Sequence, residues 1–346
     1  MGVHEIRIWD DAVISWDPNL ADRDPLPFID PSRVGKIIEV RLDSTKLTAI
    51  PGWVHQFPNL EQLILPNISL DKLTIDDVTH LKQLKNLKEL SLGGPIRSKI
   101  PDDFAELKGL QSLSLSLNDG TFLPGTFHTM KNITKLRLRG NITTFPSEVL
   151  KMGGLKELDI SDANLRWFPD EPSRMEALES FTASRSWFER FPPGFFPGKK
   201  MKKLDVSGSD LRELPEITEW PEFEELIIDG TPREFDSLPE DIGDCKKLRV
   251  LSVVSWVKEI PDSIGRCTSL ENLAVGGEVR SLPKSLGNCT NLKELWINSS
   301  YIFALPRELG QCKQLTKVKF DHWYAIPDDH PLRKIIDHYH ILSVIN

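Results

Sequence analysis

Short runs along the chain alternate apolar and polar residues, as in Leu90-Ser91-Leu92, Leu113-Ser114-Leu115 and Leu136-Arg137-Leu138. A period of two is that of a strand with one buried face. Three residues before each run stands another apolar residue, Leu87, Leu110 or Ile133, so the unit reads Leu-x-x-Leu-x-Leu and returns every 23 residues. Opening positions continue through Ile37, Leu60, Leu87, Leu110, Ile133, Leu155, Leu178, Met201, Phe223, Leu248, Leu270, Leu292 and Leu315, which makes 13 units. Such a period marks a stacked-repeat architecture, in which the length does not translate into a count of compact domains.

Twelve units carry, after the strand, an apolar residue followed by proline: Ile50-Pro51, Ile100-Pro101, Leu123-Pro124, Phe145-Pro146, Phe168-Pro169, Phe191-Pro192, Leu214-Pro215, Leu238-Pro239, Ile260-Pro261, Leu282-Pro283, Leu305-Pro306 and Ile326-Pro327; the second unit lacks it. Proline suits the first position of a helical turn, where an N–H would have no intrahelical partner, so each unit reads as strand, bend and short helix. One such unit cannot cover its own apolar face, and neighbours must stack to do so.

Over residues 37–327 this pattern resembles the leucine-rich repeat family, in the form with a Leu-Pro-x-x-Ile-Gly segment. The resemblance implies an α/β solenoid of about 13 repeats, with a curved parallel inner sheet and short helices or turns on the convex side. Thirteen strands at about 4.8 Å spacing span roughly 58 Å of arc, enough to embrace a folded partner. The family places Asn two residues before the leucine that follows the strand, to bond the backbone of the turns. Only Asn118 and Asn141 stand there; Thr45, Ser186, Ser209, Thr231 and Ser300 offer hydroxyls instead, whereas Trp256 and Trp323 cannot bond in that way.

A terminal repeat needs a cover for its apolar side and open strand edge. Residues 1–36, with Ile6, Ile8 and Trp9 then Val13, Ile14 and Trp16 around Asp10-Asp11, read as an N-terminal capping hairpin. Residues 328–346 read as a C-terminal cap helix, with Leu332, Ile335, Ile336 and Tyr339 on one face. The domain reading is therefore 1–36 cap, 37–327 repeats and 328–346 cap.

The chain has 346 residues, 39% apolar and 27% charged, with a net charge of −8. This composition excludes disorder and collagen. No apolar run reaches the length of a membrane span, and the start Met-Gly-Val-His-Glu-Ile-Arg lacks the regions of a secretory signal. Ile6 stands where a myristoylation signal has Ser or Thr. A cytoplasmic location is expected, or delivery to a host cell should the chain be a bacterial effector. Nucleic acid and anionic membrane are not expected as main partners, because both require a basic footprint. A monomer is expected.

Candidate chemistry is sparse. The four cysteines, Cys245, Cys267, Cys289 and Cys312, each lie three residues before the next opening leucine, so their spacing is the repeat period. They read as a packed ladder of small buried thiols, with metal binding or redox chemistry as the lesser alternative. The sequons at Asn67, Asn132, Asn141, Asn288 and Asn298 are expected to be chance in a chain without a signal. His322, His330, His338 and His340 among Asp321, Asp328, Asp329 and Asp337 lack a metal-ligand spacing and read as polar cap surface. No phosphate-binding glycine loop, nucleophile elbow or His-Glu-x-x-His occurs, so no catalytic residue, cofactor or metal is expected and the chain reads as non-enzymatic.

Function is then sought on the concave face. Its central outward positions read Arg41, Ile64, Ser91, Ser114, Arg137, Asp159, Thr182, Asp205, Ile227, Ser252, Ala274, Trp296 and Lys319. Lys135, Arg137 and Arg139 suggest an anion site, but Glu157 and Asp159 one strand on favour cross-strand pairing, as do Lys203 with Glu225 and Glu294 with Lys317. In the carboxy-terminal third Ile227, Val250, Val254, Ala274 and Trp296 are apolar where the pattern points to solvent, with Trp256 and Trp323 at strand exits and Lys319 placed for a cation–π contact with Trp296. With Ser252, Arg137 and Arg139 these residues form the candidate partner site. Intramolecular packing of the tryptophans is the alternative, and both readings stay open. Two functions follow: a protein-interaction module of the scaffold, signalling or effector kind, as the resemblance implies, or the substrate-recognition part of an enzyme such as a ubiquitin ligase whose catalytic domain lies outside this chain.

Overall fold

The computed structural model describes residues 7–9, 13–16, 29–43, 47–70, 73–118, 121–171, 173–196, 198–235, 237–320 and 327–335, the first two stretches as backbone only. Trp323, Thr45, His322, His338 and His340, and with them most of the two cap readings, lie outside the described residues. Two compact units are present, Met1–Leu178 and Glu179–Asn346.

In the first unit β1 (Arg7–Trp9) and β2 (Val13–Trp16) pair antiparallel, with Ile8 opposite Ile14. From β2 the pairing turns parallel through β3 (Glu39–Leu42), β4 (Gln62–Leu65), β5 (Glu89–Ile96), β6 (Ser112–Leu117), β7 (Lys135–Gly140) and β8 (Glu157–Asp159). Register is that of the sequence repeat: Arg41, Ile64, Ser91, Ser114, Arg137 and Asp159 stand side by side. Their inward neighbours Val40, Leu63, Leu90, Leu113, Leu136 and Leu158 are at most 2% exposed, so the alternation does separate core from surface. Strand β5 bulges between Leu92 and Pro95, and Gly93-Gly94 makes this possible: a Cβ there would sit 1.8 Å from the Pro66 carbonyl oxygen and 1.5 Å from that of Ile68.

The unit without a proline contains a helix instead, α2 (Ile75–Gln83), following the single turn of α1 (Pro31–Val34). Thr74 and Asp77 form a capping box, with the Asp77 backbone N–H donating to Thr74 Oγ1 and the Thr74 N–H donating to the Asp77 carboxylate at 2.8 Å. The second Asp77 oxygen accepts the Ile50 N–H at 2.7 Å, which ties the helix to the preceding repeat and satisfies a buried charge.

Elsewhere the expected short helices are 3-10 turns, of three residues at Phe127–Thr129, Val149–Lys151 and Ile217–Glu219, and of five residues, each directly after its proline, at Gly52–Gln56 and Asp102–Glu106 in the first unit and at Glu240–Asp244, Asp262–Arg266, Lys284–Asn288 and Arg307–Gln311 in the second. The proline stands one position earlier than expected, before the turn and extended, with ψ from 126° to 148°. The reason is its carbonyl, which accepts the first bond of the turn, as in Phe104 N–H to Pro101 and Ile264 N–H to Pro261, both 3.0 Å.

The second unit runs β9 (Ser180–Thr182), β10 (Lys203–Asp205), β11 (Glu225–Ile227), β12 (Val250–Val253), β13 (Asn272–Gly276), β14 (Glu294–Asn298) and β15 (Lys317–Phe320), all parallel. Here Phe181, Leu204, Leu226, Leu251, Leu273, Leu295 and Val318 fill the core at 2% exposure or less. Strands β9–β11 have three residues each, while β12–β15 have four or five, and this shift corrects the hydroxyl ladder. Ser209 and Thr231 stand three residues after the last inward strand-side residue and bond the Val206 and Ile228 carbonyls at 2.6 and 3.4 Å. After the longer strands the interval is two residues, so Ser255 and Ser299 take the buried places expected of Trp256 and Ser300. Ser255 bonds the Thr231 hydroxyl, and Ser299 donates to the Val279 carbonyl at 2.7 Å. Ser186 is buried as expected, but its hydroxyl bonds to no partner among the described residues. In the first unit, Asn141 accepts a bond from the Asn164 carboxamide at 3.1 Å.

Behind the sheet the 3-10 turns of the second unit pack at close range. A Cβ on Gly243, Gly265 or Gly287 would lie 2.2, 2.5 or 2.5 Å from a carbonyl oxygen of the next turn, which explains the glycine of the Leu-Pro-x-x-Ile-Gly segment. Two residues on, all four cysteines are free and buried. Cys267 and Cys289 direct their thiols to the Ile242 and Ile264 carbonyls at 3.3 and 3.4 Å. Burial, which disfavours the thiolate, pushes Cys245 and Cys289 up to about 12 and Cys267 to about 11. His330, read as cap surface, is buried instead: its Nε2 lies 3.3 Å from the Leu305 carbonyl and its Nδ1 accepts the Leu332 N–H at 3.2 Å.

Two outcomes are expected. Gly265→Val, which drives a branched side chain into the Ser285 main chain, should cost about 1–3 kcal/mol in urea denaturation, while Lys284→Glu on the exposed side of a turn should change the midpoint little. Native protein at pH 8 should leave all four thiols unlabelled by a disulfide exchange reagent, with four equivalents reacting once denaturant is added; rapid native labelling would contradict the packed ladder.

Candidate functional site

On the outward face of the second unit's sheet, hydrogen bonding sets Thr182, Asp205, Ile227, Ser252, Ala274, Trp296 and Lys319 in one row. The preceding outward row reads Ser180, Lys203, Glu225, Val250, Asn272, Glu294 and Lys317. Ile227, Val250 and Ala274 are half-buried and Trp296 is 37% exposed, so apolar surface recurs in four successive repeats, with Ser252 between Ile227 and Ala274. Because Ser252 and Ala274 are small, the sheet dips between Val250 and Trp296 into a shallow hollow of about 220 Å³. Asn272, Glu294, Lys317 and Lys319 also line it.

Charged residues around this surface are largely spent on one another. Glu294 and Lys317 pair at 2.8 Å, and Lys203 and Glu225 at 3.2 Å. Lys319 is exposed, and among the described residues no carboxylate lies within ion-pair distance of it. Asp229, which the outward pattern alone does not single out, accepts the Ser252 hydroxyl at 2.8 Å and the Val254 N–H at 2.7 Å. It fixes the strand exit from which Val254 and Trp256 emerge. Trp256 is 38% exposed, and the Arg233 guanidinium lies 4.3 Å from its ring centroid. A cation–π contact was expected of Lys319 with Trp296; Arg233 on Trp256 arises from a loop whose path the strand pattern does not give. Trp256 is thus neither fully buried in its loop nor bare.

In the first unit the anion-site residues are drawn into pairs: Lys135 with Glu157 at 2.9 Å and Arg137 with Asp159 at 2.6 Å. Burial raises the Asp159 carboxyl, but the Ser161 backbone and hydroxyl bonds, joined by Arg137, outweigh it and leave the group below its ordinary range. Arg139, beside Ser116, is exposed and has no such partner among the described residues. Arg137 and Arg139 belong to the first unit, and the apolar outward residues Ile227, Val250, Ala274 and Trp296 to the second. Other ion pairs, Lys88 with Glu61, Lys202 with Glu179 and Lys293 with Glu271, at 2.8 to 3.0 Å, likewise join successive repeats.

Among the described residues no group of three His, Cys, Asp or Glu side chains is placed to hold a metal ion, and no helix is long and apolar enough to cross a membrane. No protein-family profile and no curated protein sequence matches the chain. Solved structures do. A leucine-rich repeat protein of Leptospira interrogans is 22% identical, with 85% of this chain and 86% of that one covered and a TM-score of 0.62. An internalin of Listeria monocytogenes is 16% identical over 92% and 93% of the two chains, with a TM-score of 0.65. The plant peptide hormone receptor RGFR1, solved in complex with RGF2, is 19% identical over 86% of this chain and 54% of the receptor, with a TM-score of 0.58. With thirteen parallel repeat strands, β3–β8 in one unit and β9–β15 in the other, backed by 3-10 turns, the chain has the leucine-rich repeat solenoid fold.

Proposed function

We propose that the chain is a non-enzymatic protein-interaction module that grips a protein partner on the concave, outward face of its sheet. The observation that carries this reading is the apolar set Ile227, Val250, Ala274 and Trp296, spread over two adjacent outward rows of four successive repeats, with Ser252 between Ile227 and Ala274. Tryptophan at the centre of such a patch supplies much of an interface's energy, and surrounding charge pairs orient the partner. Val254, Trp256 with its Arg233, Ser252 and Lys319 extend the contact surface, and Arg137 and Arg139 offer a separate polar one. Similarity of fold to a plant peptide hormone receptor solved in complex with RGF2 supports an interaction role. The role is that of a cytoplasmic scaffold, signalling or effector protein, working as a monomer.

A second reading keeps the same surface but makes it the substrate-recognition part of an enzyme, such as a ubiquitin ligase, whose catalytic domain lies in another stretch of chain. All four thiols of this chain are buried, so under that reading the catalytic group lies in the other stretch and this chain supplies recognition alone.

Affinity capture from native lysate tests the proposal with four baits: wild type, Trp296→Ala, Ile227→Asp and Lys284→Glu. Wild type and Lys284→Glu should retain the same partner, whereas Trp296→Ala and Ile227→Asp should each reduce recovery about tenfold or more with an unchanged unfolding midpoint. Equal recovery by all four would place binding elsewhere on the molecule.

A further inference from the structure

The hollow between Val250 and Trp296 has a chemistry of its own. Its volume of about 220 Å³ is below the roughly 300–1,000 Å³ of a small-molecule site, and it is open, so it suits one or two side chains of a larger ligand. Ala274 and Ser252 floor it, and the Trp296 indole stands beside it. Glu294 and Lys317 neutralise each other, which leaves Lys319 as the uncompensated charge of the lining, in a chain whose net charge is −8. Asn272 lines the same hollow, and its carboxamide hydrogen-bonds to no described residue, so a donor and an acceptor are available to a peptide main chain.

Resting on the interaction-module reading, we propose that this hollow takes a linear peptide segment of a partner, with an aliphatic or aromatic side chain packed against Trp296 over Ala274 and a side-chain carboxylate on Lys319. Trp296 and Lys319 are direct neighbours on adjacent parallel strands, about 4.8 Å apart. In an extended peptide, side chains two residues apart point the same way at a separation of about 6.6 Å, within the reach of a flexible lysine. The recognised pattern is therefore an apolar residue, any residue, then Asp or Glu. The apolar contact supplies most of the affinity, and the exposed charge supplies discrimination.

The probe is a library of random twelve-residue peptides displayed on phage through their carboxy termini, selected against the full chain. Wild type should enrich apolar-x-Asp/Glu, and synthetic peptides of the selected sequence should lose about tenfold in affinity on Trp296→Ala and on the order of threefold on Lys319→Ala. Selection against Lys319→Glu should replace the acidic position by Lys or Arg. Circular dichroism and the urea midpoint of each variant exclude misfolding as the cause. Enrichment without charge bias, indifference to Lys319→Glu, or no enrichment at all would overturn the proposal. Peptides that ignore Trp296→Ala yet are lost on Ile64→Asp or Arg139→Glu would overturn it while leaving the broader interaction reading intact; peptides indifferent to every outward substitution would sink both.

Discussion

No repeat of this chain can bury its own apolar side, and that constraint organises everything else. Each strand carries its inward leucine into a core shared only with the units before and after it, so stability accumulates from neighbour to neighbour. The same holds for polar bonds. Asn59, Asn132 and Asn291 each send a carboxamide to a carbonyl of the preceding repeat, at 2.8, 2.7 and 2.9 Å. Glu271 is bracketed by Arg249 and Lys293 at 3.1 and 3.0 Å, and those bonds hold its carboxyl below its ordinary range. Exposed pairs of this kind contribute little singly, and their regular recurrence fixes order along the row more than it adds stability.

Much of this architecture was legible in the sequence because its signals are periodic. The opening positions from Ile37 to Leu315, the inward residues and the outward row from Thr182 to Lys319 follow from one alternation and one spacing, and the sheet reproduces that register. What could not be read lies where the period breaks. The turn from Val253 to Ser255 is one residue shorter than that from Val206 to Ser209, and nothing in the residue types announces the change. Trp256 consequently faces outward rather than occupying a hydroxyl's place, and Arg233 reaches it from a loop with no strand pattern. Likewise the absent proline of the second unit signalled a departure, but the tie from Asp77 to Ile50 spans 27 residues and is visible only in three dimensions.

The candidate site was legible in part, for a related reason. Apolar residues at outward positions stand out against an alternating pattern, which is how Ile227, Val250 and Trp296 came to notice. The hollow depends on something subtler, two small residues, Ser252 and Ala274, side by side on adjacent strands. Small side chains are unremarkable singly and matter only through their neighbours. Asp229 and Asn272 escaped notice because their roles rest on hydrogen-bond geometry, one with its bonds made and the other with its bonds open.

Strict separation of inward from outward positions has a further consequence. Leu251 and Leu273 answer to the packing of adjacent coils, whereas Ala274, one residue past Leu273, faces outward, and its neighbour Ser252 is tied to the molecule through its hydroxyl on Asp229. A lineage could therefore rewrite what such a surface grips through successive single replacements at alternate sites, each tolerated by the scaffold, so that descent preserves the architecture while its choice of companion drifts.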